Sequence, residues 1–151
     1  MKKLLFIFFL IVPINVYSII YNFEPKYASI KKDRAYSRHN ASFDAPLEWI
    51  YQKKNLPILI INEYGNWREI RDIANNQSWM HISMISNKKS FINIKEQNLL
   101  KYKDNKNIVL AIVKKNVVGK IIKCDGKLCK VKIKNLRGWI EKKSLWGIKK
   151  D

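Results

Sequence analysis

The chain has 151 residues, which is enough for one ordinary domain or two small ones. Its 30 Lys and Arg residues outnumber its 12 Asp and Glu residues, and the net charge of +18 indicates an anionic partner. A base composition that favours Lys, Ile and Asn codons is the alternative explanation. Nucleic acid is not the expected partner, because the N-terminus is typical of an exported protein.

Residues 1–18 are predicted to be a secretory signal peptide. Lys2 and Lys3 precede an apolar run at 4–14, and a plausible cleavage point follows at Ser18. The run is shorter than the roughly 20 residues that a bilayer-spanning helix needs. The mature protein is therefore expected in the periplasm or outside the cell, with at most peripheral membrane contact. An uncleaved signal anchor is the alternative.

An internal repeat follows the leader. "KKNLPILIINEYGNW" at 53–67 aligns without a gap on "KKNVVGKIIKCDGKL" at 114–128, an offset of 61 positions. Further on, Trp79 aligns with Trp139 after one deletion. We predict a linker at 19–27 and two repeated units at 28–88 and 92–149.

Each unit consists of short β-type runs. They are rich in Ile, Tyr and Trp and are interrupted by Gly-Asn and Asn-Asn, which are typical of hairpins. In the second unit Cys129, Val131 and Ile133 alternate with lysines, which predicts a strand with one buried face. No helical pattern is convincing, so the fold class is all-β.

The alignment transfers this alternation to the first unit. Ile70 aligns with Val131 and is expected to face inward, so Trp67 should lie on the outer face with Glu69 and Arg71. Trp67 is therefore a candidate exposed aromatic residue. The equivalent Trp79 and Trp139 are expected in the barrel cores instead. The pattern assigns no role to the other two tryptophans, Trp49 and Trp146.

The repeat resembles the bacterial SH3-like domain. The resemblance rests on a unit of about 60 residues that ends in Trp-apolar-x4-Ile/Leu, and on "LPILIINEYGNWREIRD", "VVGKIIKCDGKLCKV" and "GWIEKKSLWG". It is closest to small exported proteins of Gram-negative bacteria with two such units. It implies two small, partly open antiparallel β-barrels with a non-catalytic binding role. Because a unit of this size is marginal alone, the two barrels are expected to be in contact.

The chain departs from the family pattern in two places. "SRHNAS" at 37–42 and "LKYKDN" at 100–105 replace a glycine-dependent loop, and Leu128 stands where an aromatic residue is common. The second unit is therefore less suited to form an aromatic groove.

The two cysteines, Cys124 and Cys129, are expected to form a disulfide after export. A four-residue loop would place them opposite each other, whereas a two-residue Asp-Gly turn would leave them diagonal and too far apart. We therefore predict the wide loop. Zinc is the alternative, but His39 and His81 are the only histidines and no four-ligand set is evident.

Neither a catalytic motif nor a cofactor-binding motif is found in the sequence. The expected function is thus binding without catalysis, and no metal or cofactor is expected. The partner is expected to be a peptide or protein segment, such as a peptidoglycan stem peptide. Its candidate site combines a predicted aromatic surface and an adjacent loop: Ser37, Arg38, Phe43, Tyr64, Trp67, Arg68 and Arg71.

Two alternatives remain. The basic second unit could attach to an anionic envelope surface through Lys130, Lys132, Lys134, Lys142 and Lys143. The protein could also be the accessory binding subunit of a cell-wall hydrolase.

Overall fold

The computed structural model describes residues 22–103 and 106–149, so the predicted signal peptide lies outside the described residues. The chain forms two antiparallel seven-stranded sheets, one in each half. This confirms the all-β fold class. Over the described ranges, none of the helical segments has the length and apolar character needed to cross a bilayer.

The strands of the first unit are β1 (Lys26–Ile30), β2 (Ala35–Arg38), β3 (Leu47–Tyr51), β4 (Pro57–Tyr64), β5 (Trp67–Arg71), β6 (Gln77–His81) and β7 (Ile85–Ser86). The strands of the second unit are β8 (Ser90–Asn93), β9 (Gln97–Lys103), β10 (Lys106–Val113), β11 (Val118–Asp125), β12 (Leu128–Ile133), β13 (Leu136–Glu141) and β14 (Leu145–Trp146). A 3₁₀ turn precedes the last strand of each unit, at Ile82–Met84 and Lys142–Ser144.

The two sheets have the same topology. Their strand orders are β3-β2-β6-β5-β4-β1-β7 and β10-β9-β13-β12-β11-β8-β14, so every strand of the second sheet is seven numbers beyond its counterpart. Each unit begins slightly before its predicted boundary. Lys26 already pairs with Ile60, within the expected linker, and Ser90 already pairs with Lys120.

Each sheet encloses its own hydrophobic core. Ile70 and Val131 are both fully buried in these cores, which confirms the predicted inward faces of β5 and β12. The buried core of the first unit is Ala28, Ile30, Ala35, Ile58, Ile60, Ile70 and Met80. The buried core of the second unit is Phe91, Leu99, Val113, Cys129, Val131, Ile140 and Leu145.

The central hairpins of the two units have the same register. Leu59 lies opposite Arg71 in β4–β5, and Lys120 lies opposite Lys132 at the equivalent place in β11–β12. Both pairings shift by one residue at a bulge two positions further along the first strand. Both hairpins then turn at a glycine in the left-handed region, Gly65 or Gly126, with φ of 51° in each case.

One pair of facing core positions has its larger side chain on different strands in the two units. In the first unit Ala28 lies opposite Ile58, and in the second unit Phe91 lies opposite Gly119. A Cβ atom at Gly119 would be only 2.5 Å from Phe91 Cε1. The large Phe91 ring therefore occupies the space that a side chain at position 119 would need.

The two units are in contact, as expected. The rings of Tyr27 and Trp146 meet edge to face with centroids 5.4 Å apart, and a Cβ at Gly147 would lie 2.8 Å from Pro57 Cβ. Burial at this junction raises the pKa of Tyr27. A cavity of about 770 Å³ also lies between the units, and its walls include Tyr27, Cys124 and Ile148.

Tyr51 packs against the core of the first unit and is expected to make the protein less stable at alkaline pH. Its hydroxyl donates a hydrogen bond to Asp72 Oδ2 at 3.4 Å. Burial, and to a smaller extent the charge of Asp72, raises its pKa from about 10 to about 12. The unfolded chain releases this proton near pH 10, whereas the folded chain keeps it, so stability falls between pH 10 and 12.

The measurement is the urea midpoint across this pH range for the wild type and for Tyr51→Phe. All other ionisable groups are the same in both proteins, so the difference between the two curves isolates Tyr51. We expect the wild type to lose more stability than the variant. Parallel curves would contradict the assignment.

Candidate functional site

An aromatic cluster lies on the outer face of the first sheet. The ring of Phe43 lies 4.9 Å from that of Trp67 and 5.1 Å from that of His81, measured between centroids. The rings of Trp67 and His81 are 5.4 Å apart. We call the outer face of β5 and β6, together with Phe43 and Tyr64, the aromatic groove.

Strand register places three of the groove residues. Trp67 of β5 lies directly opposite His81 of β6, and Tyr64 of β4 lies directly opposite Trp67. Directly paired residues point to the same face of a sheet. Tyr64 is 71% exposed, so it forms an open aromatic wall beside the cluster.

The loop between β2 and β3 supplies Phe43. Arg38 Nη1 donates a hydrogen bond to the carbonyl of Ala45, and the His39 amide donates one to the carbonyl of Pro46 at 3.1 Å. These two bonds close the loop at its base. Phe43 is 64% exposed and covers Trp67 from the loop. The loop thus forms a defined wall although its sequence lacks the glycine typical of the family.

The prediction that Trp67 is exposed is wrong. Trp67 is only 8% exposed. Trp67 is not part of the core cluster of the first unit, which is compatible with its predicted position on the outer face of β5. Phe43 and His81 cover it there, and the exposed part of the cluster is formed by Phe43 and Tyr64 instead.

The two candidate arginines of β5 differ in their surroundings. Arg68 lies opposite core residue Met80, so it faces away from Trp67, and its Nε lies 3.3 Å from Glu63 Oε2. Arg71 lies on the same side of β5 as Trp67, about 13 Å further along the strand. Its Nε is buried and has no hydrogen-bond partner among the described residues. Arg68 is thus engaged in its own hairpin, and Arg71 is the candidate arginine on the side of Trp67.

Ser37, another candidate, is not placed to contact a ligand. It is fully buried, and its hydroxyl donates to the carbonyl of Trp49 at 3.4 Å. Ser37 follows core residue Ala35 by two positions, so it shares the inward face of β2. Its role is structural.

Sequence reasoning missed two residues of the groove. His81 and Trp79 flank Met80, whose full burial places both neighbours on the outer face. The same alternation could have been applied to β6 in the sequence. The prediction that Trp79 and Trp139 are core residues is also wrong, because both are half-buried and lie outside the two core clusters.

The equivalent surface of the second unit has a different character. Leu128 and Glu141 occupy the positions of Trp67 and His81 and lie directly opposite each other. Trp139 meets Tyr102 at 6.1 Å, and the Lys123 ammonium lies 5.5 Å from its ring centroid. An aromatic and basic surface thus replaces the aromatic groove.

The five lysines predicted to form one anionic-surface patch are divided between two ends of the second unit. Lys130 and Lys132 lie on the outer face of β12, and Lys134 follows at the turn after it. Lys142 and Lys143 belong to the 3₁₀ turn near the opposite end of β12, where Lys143 pairs with Glu141 at 3.1 Å. Three further basic residues lie directly opposite the β12 lysines and were not predicted as part of the basic surface: Lys120, Lys123 and Arg137.

The predicted disulfide is confirmed, but its loop is not. Cys124 and Cys129 are bonded and lie directly opposite each other, with Cα atoms 4.0 Å apart. Asp125 still pairs with Leu128, so the turn is a tight one at Gly126 and Lys127 and not a wide loop. At the equivalent positions of the first unit, Glu63 and Arg68 form an ion pair.

The residues that the structure describes contain no group of three or more His, Cys, Asp or Glu side chains arranged to hold a metal ion. His39 lies 3.4 Å from Glu48 in the loop, whereas His81 accepts a hydrogen bond from the Ser83 amide at 3.3 Å. The two histidines are thus held in separate local contacts.

The chain was compared with curated proteins and with solved structures. No curated protein matches the chain significantly. Two solved structures, NlpC1 and NlpC2 from Trichomonas vaginalis, share 12% and 10% identity with it, at TM-scores of 0.38 and 0.37. The matches cover 85% and 83% of this chain but 47% and 49% of those chains, so the chain spans about half of their length.

The family model described as "Bacterial SH3 domain" matches the chain twice, at residues 31–87 and 95–147. Each match falls on one of the two seven-stranded sheets. The chain therefore belongs to the bacterial SH3 domain family.

Proposed function

We propose that the protein is a non-catalytic, exported binding protein whose aromatic groove holds an extended peptide. The observation that carries this proposal is the packing of Phe43 over Trp67 and His81 beside the exposed Tyr64. Rigid aromatic side chains give a peptide a large contact area at a low cost in conformational entropy. The expected ligand is a peptidoglycan stem peptide or a similar peptide of an envelope protein.

Arg71 would hold a carboxylate of that peptide. It lies on the same side of β5 as Trp67 and is only half-buried there, so part of the residue stays accessible. A guanidinium binds a carboxylate through charge-assisted hydrogen bonds. The distance of about 13 Å between the two β5 positions corresponds to about four extended peptide residues.

The proposal predicts that exposed aromatic residues of the groove determine affinity for peptidoglycan. We expect Phe43→Ala and Tyr64→Ala each to weaken cosedimentation with purified peptidoglycan by about tenfold, because contact residues of this kind contribute 1–2 kcal/mol. The matched control is Tyr102→Ala, an exposed aromatic residue of the second unit. It should bind as the wild type does. Unchanged binding by folded Phe43→Ala and Tyr64→Ala would remove the groove from consideration.

The carboxylate contact can be tested separately on the same material. Amidation of the peptide carboxyl groups should weaken binding by the wild type but not by Arg71→Gln, because the variant has already lost the interaction. If amidation weakens both proteins equally, Arg71 is not the carboxylate partner.

A further inference from the structure

A second cleft lies between the two units, and lysines line it. Its volume is about 300 Å³, and none of the groove aromatics contributes to it. Two lysines of the first unit and three of the second line its walls: Lys53, Lys54, Lys120, Lys132 and Lys134. None of the described residues that line it is acidic. Five like charges around one space repel one another, and an anion among them would be attracted by all five.

The wall from the first unit is the turn before β4. Asn55 of this turn has a φ of 60°, and its amide donates a hydrogen bond to the carbonyl of Ile30 at 2.9 Å. The second unit contains the same Lys-Lys-Asn turn, in which Asn116 has a φ of 66° and donates to the carbonyl of Asn93 at 2.7 Å. The second turn does not line this cleft, so the chain contains its own matched control.

The wall from the second unit carries lysines that the first unit lacks. Lys120 and Lys132 lie directly opposite each other, so both point to the same face of β11–β12. The equivalent pair of the first unit is Leu59 and Arg71. The two units thus differ in the residues of this pair, and the second unit has two lysines where it lines the cleft.

Lys134 adds to this difference. In the first unit the aligned residue is Ile73. Lys134 has a φ of 51°, in the left-handed region where glycine and asparagine are favoured. A lysine stands at this position against the local backbone preference, and it is one of the residues that line the cleft.

We propose that the cleft between the units binds a polyvalent phosphate group of about the size of pyrophosphate, which bridges the Lys53–Lys54 turn and the β11–β12 hairpin. The volume corresponds to about ten water molecules, which is more than a single phosphate requires. Ammonium groups donate up to three hydrogen bonds each and suit phosphate oxygens. The proposal does not depend on the peptide-binding function, because the two sites share no residue.

The test is titration of the purified protein with pyrophosphate and with orthophosphate at matched ionic strength, followed by calorimetry. We expect saturable one-to-one binding of pyrophosphate, at least about tenfold tighter than that of orthophosphate, because more lysines engage the larger anion. Lys53→Gln/Lys54→Gln and Lys120→Gln/Lys132→Gln should each weaken it by about tenfold or more. Lys114→Gln/Lys115→Gln removes the same charge from the matched turn. Its affinity for pyrophosphate should stay within about twofold of that of the wild type.

A vesicle arm distinguishes a free anion from a lipid headgroup. Phosphatidylcholine vesicles that contain a diphosphate-bearing lipid should be bound with the same lysine dependence if the group is carried by a lipid. Binding of free pyrophosphate without binding of these vesicles would assign the cleft to soluble phosphate compounds. The absence of saturable pyrophosphate binding, or an equal loss in the matched Lys114/Lys115 variant, would overturn the proposal.

Discussion

Replacement of Phe91 by alanine is expected to lower the free energy of unfolding by about 3–5 kcal/mol. Among the described residues, Phe91 is the largest fully buried side chain, and it contributes to the core of the second unit. Its neighbour across the strands, Gly119, has no side chain to fill the space that would be left. The change is measured as a shift of the urea unfolding transition of the second unit.

The first unit suggests how to repair this variant. There the equivalent pair is Ala28 and Ile58, with the large side chain on the opposite strand. We expect Gly119→Ile alone to be destabilising, because its Cβ would lie 2.5 Å from Phe91 Cε1. The double variant Phe91→Ala/Gly119→Ile should be more stable than either single variant. Additive losses would show that the two positions do not share one packing space.

Replacement of Trp67 by alanine is expected to cost about 3 kcal/mol of stability, at the lower end of the range for a buried aromatic residue. The lower end applies because a surface loop forms part of its cover. Phe43→Ala combined with Trp67→Ala should cost less than the sum of the two, by about 0.5–1.5 kcal/mol, because the ring pair is lost only once.

The matched control for Trp67 is Trp49→Ala. Trp49 is 44% exposed, and we expect its replacement to cost less than 1 kcal/mol or so. Urea unfolding followed by circular dichroism measures both variants. Equal losses for the two tryptophans would contradict the view that Phe43 and His81 enclose Trp67.

The repeated strands could be predicted from the sequence because their determinants are local. The alternation of Cys129 and Val131 with lysines follows from a strand that has one buried face, and this face is where both residues lie. The gapless alignment at an offset of 61 corresponds to an identical register in β4–β5 and β11–β12. In this hairpin of each unit, the sequence pattern and the observed strand pairing therefore agree.

The predicted four-residue loop between the cysteines had the observed register, Cys124 opposite Cys129, but was too wide because two tight turns are available to the same sequence. Asp125-Gly126 and Gly126-Lys127 both place a glycine in the turn. The observed turn uses the second pair, which puts Cys124 opposite Cys129 on the core-facing side. The packing of Cys129 in the core, and not the turn motif, distinguishes the two registers.

The exposure of Trp67 and the lysine cleft depend on contacts between segments that are distant in the chain. Trp67 lies on the face that was predicted, but its cover is Phe43, 24 residues earlier in a loop. The cleft requires Lys53 and Lys132 to come together across the junction of two units. Neither arrangement follows from the periodicity of one strand or from the spacing of one hairpin.

The paired hairpins of the two units have different chemical sensitivities. In the first unit the carboxylate of Glu63 faces the guanidinium of Arg68 at 3.3 Å, and in the second unit a covalent bond joins Cys124 to Cys129 at the same place. Concentrated salt screens the first link and leaves the second intact, whereas a thiol reductant cleaves the second and leaves the first. One duplicated fold therefore contains two hairpins that solution conditions can loosen one at a time.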